Sequence, residues 1–188
     1  FDSFEPMHAA DNANPLLDFS GPTRFDAIRA RHVTPALDSL IGDARAAVDA
    51  VVLDSRPATW DNVAEPLAEP LDRLDRAWGV VRHLNAVAST PEWRGTYHAN
   101  LPKITAFHTD LAQDLRLFRR YRELAAAPSF VRLDAAKRRA VANELRDFRL
   151  GGAELPAREK ARLKAVDEEL AELAARFDDN VLDATSHW

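Results

Sequence analysis

The chain has 188 residues, within the range of one domain. Hydrophobic residues make up 46% and charged residues 29%, an ordinary balance for a globular protein that can bury roughly 70% of its unfolded surface. There is no cysteine, which excludes disulfides, thiolate metal sites and a cysteine nucleophile, and the net charge of −5 gives no electrostatic case for nucleic acid as a partner. No run approaches the ~18 apolar residues of a membrane span.

Residues 1–32 read as an extended N-terminal arm without helical period. Asn14-Pro15, Ser20-Gly21-Pro22 and Thr23 are loop punctuation. Leu16, Leu17, Phe19, Phe25 and Ile28 among them are expected to pin the arm to the body. The acidic start Phe1-Asp2-Ser3-Phe4-Glu5-Pro6 is no secretory signal. Met7 is the only methionine, so it is a candidate native start with residues 1–6 added ahead of it.

Residues 33–188 read as a helical domain. Thr34-Pro35 predicts the first N-terminus, with Thr as cap and Pro at the first helical position. Leu37, Leu40, Ile41, Ala44, Val48 and Val51 or Val52 form its stripe. A second start falls at Thr59-Trp60-Asp61-Asn62, and Pro66 and Pro70 are expected to kink or interrupt the turns that follow. A third lies at Thr90-Pro91-Glu92, with a bend or a split expected at Pro102. Asp134 caps a fourth helix, and Gly151-Gly152 is a strong stop. The last helix runs from Pro156 toward Trp188. Its stripe of Leu163, Val166, Leu170, Leu173, Phe177 and Val181 is expected to enter the core. No run has the period-2, β-branched pattern of a strand. The expected fold is all-α: about five main helices, partly kinked at proline, in a bundle.

Chemistry is scarce. None of the six histidines is followed by Glu, so HExxH is absent. His98 and His108, ten apart, face different ways. Asp183 and His187 could share a face, but two ligands do not close a zinc site. Glu5-x-x-His8 sits in the arm, away from any bundle of carboxylates. Glu168-Glu169 and Asp178-Asp179 are adjacent helical residues about 100° apart, hence a solvated face rather than an acid–base pair. Arg116, Arg119, Arg120 and Arg122 interleave with Phe118 and Tyr121, a combination that can grip single strands. At helical spacing, however, the aromatics belong to the inward stripe. Trp60, Trp78 and Trp93 are expected as core anchors. His83 and Asn85 are expected to hydrogen-bond inside the domain or to face a neighbouring one. No catalytic, cofactor-binding or metal-ligating residue is assigned.

Several of these pieces recur together. Asn14-Pro15-Leu16-Leu17, His32-Val33-Thr34-Pro35-Ala36, Thr59-Trp60-Asp61-Asn62, Pro66-Leu67-Ala68-Glu69, His83-Leu84-Asn85-Ala86-Val87, Leu145-Arg146-Asp147-Phe148 with Gly152, and Asn180-Val181-Leu182-Asp183-Ala184-Thr185 stand in an ordered set. That set resembles the N-terminal part of the thimet oligopeptidase family of zinc metallopeptidases, in particular its oligopeptidase A branch. The dipeptidyl carboxypeptidase branch shares the layout. The resemblance implies a cytoplasmic enzyme that cuts short peptides, a neurolysin-like helical clamshell with a deep channel, and a zinc-bearing HExxH segment in a later part of the chain. It implies that this chain is C-terminally truncated relative to the whole enzyme, inactive alone and without a cofactor of its own. Its role would be one channel wall, and its partners the missing catalytic domain and short peptides. Trp188 would be buried in the whole protein. An isolated wall would expose apolar surface. The rival expectation is a self-standing helical interaction module, and a weaker one is a nucleic-acid binder through the Arg116–Arg122 face.

Overall fold

A computed structural model describes residues 14–185, and among these the architecture is all-α with no strand. The helices are α1 (Val33–Leu53), α2 (Trp60–Val63), α3 (Glu65–Val87), α4 (Pro91–Ala112), α5 (Leu115–Ala126), α6 (Ala135–Leu150) and α7 (Ala157–Thr185). Short 3-10 turns at Pro15–Leu17, Ala30–His32 and Phe130–Arg132 shape the connections. Met7, Glu5 and His8 at one end, and His187 and Trp188 at the other, lie outside the described residues.

α1 and α3 form the spine, the most extensive pairing in the bundle. Two apolar clusters sit along it. The first gathers Val33, Leu37, Leu40 and Ala44 of α1, Leu74, Trp78 and Val81 of α3, and Ile104 and Phe107 of α4. The second gathers Val48 and Val51 of α1, Val63, Leu67, Leu117, Phe118, Tyr121 and Leu124, with Val141 and Phe148 of α6. The start of α1 therefore meets the end of α3, and the two helices run antiparallel. Leu71 and Leu111 touch both clusters and join them. Each large side chain closed off this way contributes roughly 1.5–3 kcal/mol relative to exposure. Leu16 and Ile28, from the stretch before α1, lie in the first cluster. Trp78 is buried there and stacks on Tyr97 with ring centroids 5.1 Å apart.

The helix ends follow local chemistry. Asn62 Oδ1 accepts from the Thr59 amide at 2.7 Å. Thr90 Oγ1 accepts from the Trp93 amide at 3.3 Å. Asp134 Oδ1 accepts from the Lys137 amide at 2.8 Å. α6 ends in a Schellman turn. The Ala153 amide donates to the Phe148 carbonyl at 2.9 Å, the Gly152 amide donates to the Arg149 carbonyl at 3.2 Å, and Gly152 takes φ +88°.

The local expectations for helix starts and proline breaks are met in part. α1 begins at Val33 rather than behind a Thr34 cap, because the Thr34 hydroxyl is taken by Asn100 Nδ2 at 2.8 Å. α4 runs through Pro102 without ending there. The break falls at Gln113–Asp114, where Asp114 Oδ1 accepts from the Arg116 amide at 2.8 Å and the Leu117 amide at 3.2 Å and starts α5. Pro70 is likewise held inside α3, and the interruption near Pro66 falls at Ala64, between α2 and α3.

Candidate functional site

α7 has 29 residues and is about 43 Å long at ~1.5 Å per residue. It contributes no side chain to either apolar cluster. Its main support is α4. The face it turns to α4 is small and charged rather than large and apolar. Ala175 is buried, and Lys164, Asp167, Ala171 and Asp179 are partly so.

Polar contacts run along this seam. Lys160 Nζ donates to the Gln113 carbonyl at 2.8 Å, and Gln113 Nε2 returns a bond to the Lys160 carbonyl at 3.3 Å. Lys164 Nζ meets Asp110 Oδ1 at 2.7 Å. Thr109 Oγ1 reaches Asp167 Oδ2 at 3.4 Å. His98 Nε2 lies 2.7 Å from Asp179 Oδ2. Arg94 grips Asp183 through both terminal nitrogens, with Nη1 at 2.9 Å from Oδ2. Alanines let the two helix backbones approach, and the ion pairs fix the register. Exposed pairs of this kind are worth about 0–1 kcal/mol each.

The apolar stripe of α7 is on another face. Val166, Leu170, Leu173, Phe177 and Val181 are 46–66% exposed. The expectation that this stripe enters the core of this chain is therefore corrected. The period identifies a face that excludes water, and it is silent on which body does the covering. Only Leu163, at the start of the stripe, is partly buried, close against Gly152.

The remaining candidate groups lie elsewhere in the bundle. Phe118 and Tyr121 are buried in the second cluster. Burial pushes the Tyr121 hydroxyl up from its ordinary range, and the nearby Glu144 adds to that; burial also raises Glu144. Arg120 is buried, with Nη1 2.7 Å from Glu123 and Nη2 donating to the Arg56 carbonyl at 3.2 Å. Arg116 is held by Asp114 at 2.7 Å. Of the Arg116–Arg122 row only Arg120 is buried; Arg116, Arg119 and Arg122 are exposed, Arg116 beside Asp114 and Arg122 4.0 Å from Glu154. His108 faces Asp75 at 3.4 Å, on a different side of α4 from His98. His83 is exposed and meets the Phe25 ring edge-on at 5.5 Å, while Asn85 is partly buried. Asp183 cannot be paired with His187 here, since His187 lies outside the described residues.

Among the described residues no three His, Cys, Asp or Glu side chains gather to hold a metal ion. His98 with Asp179 is a pair, short of the three protein ligands a catalytic zinc takes. The described residues do not gather a zinc centre. No helix among the described residues is long and apolar enough to cross a membrane. What the arrangement offers is binding surface: a polar seam already used, and an apolar stripe still open.

The described residues thus form an antiparallel helical spine with a two-faced terminal helix. Residues 37–160 match the family model described as the N-terminal domain of neurolysin/thimet oligopeptidase, and the chain belongs to that family. It is 39% identical over 175 residues to oligopeptidase A of Salmonella typhimurium, a match spanning 93% of this chain and 26% of that protein. It is 38% identical over 175 residues to oligopeptidase A of Escherichia coli, with the same coverage of each chain. Identity to the dipeptidyl carboxypeptidase of Salmonella typhimurium is 28% over 179 residues, 93% of this chain and 26% of the relative. The chain spans about a quarter of the length of these curated relatives.

Proposed function

We propose that this chain is the N-terminal helical, channel-wall domain of a cytoplasmic, zinc-dependent oligopeptidase that cuts short peptides, and that it is inactive alone. In this reading residues 1–32 are an arm, residues 33–188 are the wall, and the catalytic HExxH segment belongs to a following part of the polypeptide. The observation that carries it is the coverage: a match over 93% of this chain reaches only 26% of oligopeptidase A. The absence of HExxH from the sequence agrees with it. The zinc would polarise the attacking water in that other part; the described residues of this chain do not hold it. The wall's contribution is steric, limiting which peptides enter the channel.

The test is peptide hydrolysis with added zinc. The product of the complete gene should turn over a fluorogenic short peptide in a chelator-sensitive way, and residues 1–188 alone should not. Chelator-sensitive turnover by the pure 188-residue chain would overturn the reading. A reading frame that ends at Trp188 would overturn it too, in favour of a self-standing helical interaction module.

A further inference from the structure

The exposed stripe of α7 has the pattern of a core element without a core. Val166, Leu170, Leu173, Phe177 and Val181 step by four, three, four and four, and stay 46–66% exposed while the opposite face is docked by ion pairs and alanines. Together they expose an apolar strip on the order of 500 Å², at the upper end of what a free monomer carries on its surface. Other exposed apolar side chains, such as Leu53, Val131 and Leu150, lie on other elements and off this strip.

We propose that this stripe is the seam on which the following part of the same polypeptide packs, through an apolar helical face of its own. The inference rests on the reading of the chain as one part of a longer peptidase, and it names the surface through which that part is held. Two observations favour an attached occupant over a second copy. The strip falls short of the ~800 Å² per partner that a stable association of free chains buries. An attached segment avoids most of the translational and rotational cost of association, because its effective concentration is millimolar or higher. The relatives supply such a segment, since about three quarters of their length lies outside the match.

Hydroxyl-radical footprinting of the complete gene product, without substitution, tests this. Modification rates at Leu170, Leu173 and Phe177, each corrected for intrinsic reactivity, are compared with those at Leu53, Val131 and Leu150. The expected result is at least tenfold slower modification along the stripe, unchanged on tenfold dilution. Equal corrected rates at the two sets overturn the proposal. Slowing that disappears on dilution also overturns it, because it assigns the stripe to a second copy. Peptide hydrolysis by the same sample is read separately. Turnover with an unprotected stripe sinks the seam alone, and a protected stripe without turnover sinks the peptidase reading alone.

Discussion

Asn100 Nδ2 donates to Thr34 Oγ1 across 2.8 Å, tying the middle of α4 to the first turn of α1, with Asn100 buried and Thr34 partly so. The same nitrogen donates to the Thr96 carbonyl at 2.8 Å. Nδ2 is thus paired twice, whereas the buried Asn100 Oδ1 has no hydrogen-bond partner among the described residues, and removing Asn100 takes the donor from Thr34 Oγ1. Asn100→Ala is expected to lower the unfolding free energy by about 1–3 kcal/mol. Thr34→Val should cost less, and the two changes together should cost less than their separate losses added. Urea unfolding of the four variants in the cycle measures this coupling.

The close of α6 depends on two glycines for different reasons. Gly152 has φ +88°, and a Cβ there would also stand 2.8 Å from Leu155 Cδ1. Gly151 has an ordinary backbone, but its Cβ would stand 2.5 Å from Ala112 Cβ at the end of α4. Gly152→Ala should destabilise by about 1–3 kcal/mol through backbone strain. Gly151→Ala should destabilise through collision, and the combination Gly151→Ala with Ala112→Gly should recover much of that loss. The same rescue should fail for Gly152→Ala. Thermal melts of the set discriminate the two causes.

The α4–α7 seam is sized for alanine. Replacing buried Ala175 by Leu adds volume where the helices are closest, an overpacking worth about 1–3 kcal/mol. Because α7 lies outside both apolar clusters, the effect should be local. Amide exchange in α7 should accelerate while exchange in α1 and α3 stays unchanged. Uniform acceleration across all three helices would refute this separation. Arg94→Ala should act the same way but only on the last turns of α7, where Asp179 and Asp183 lose their cation.

Asp54 supplies a pH dependence. Arg56 hydrogen-bonds its carboxylate through the side chain, at 3.0 and 2.7 Å, and through the backbone amide, at 2.9 Å. These bonds hold the carboxyl at about 2, below its ordinary 3.8. A lowered value means that the folded form favours the ionised group. The contribution is therefore complete above about pH 4 and is lost as pH falls through about 2. The stability difference between the parent and Asp54→Asn should shrink over that interval. A difference that stays constant from pH 6 to pH 2 would show that the turn does not depend on this charge.

The parts of this fold that could be read from residues alone were those decided locally. Thr90 and Asp134 start helices because each places a side-chain oxygen for an orphan amide, Asn62 closes the start at Thr59 by accepting from the Thr59 amide, and Gly151-Gly152 ends a helix because a positive φ is needed there. Asp114 went unnoticed because Leu111, Leu115 and Phe118 carry the apolar period straight across the break. Thr34 has the form of a cap but spends its hydroxyl on a residue 66 positions away, a contact no local window contains. The stripe of α7 was visible as a face. Its assignment to the interior failed because Ala171, Ala175 and a row of charges outside the stripe make the contact with α4, and alanines surrounded by charges give little signal in a hydrophobic pattern.

The open stripe also has a consequence in time. If the proposed reading holds, roughly 500 residues remain to be made after α7 leaves the ribosome, which at about 5–20 residues per second takes on the order of a minute. In that reading Leu170, Leu173 and Phe177 stay uncovered through that interval. The acids spaced among them, Glu168, Glu169, Glu172 and Asp178, repel the same stripe on neighbouring nascent chains. In that reading the charged turns of α7 would serve the unfinished protein before the apolar ones serve the finished one.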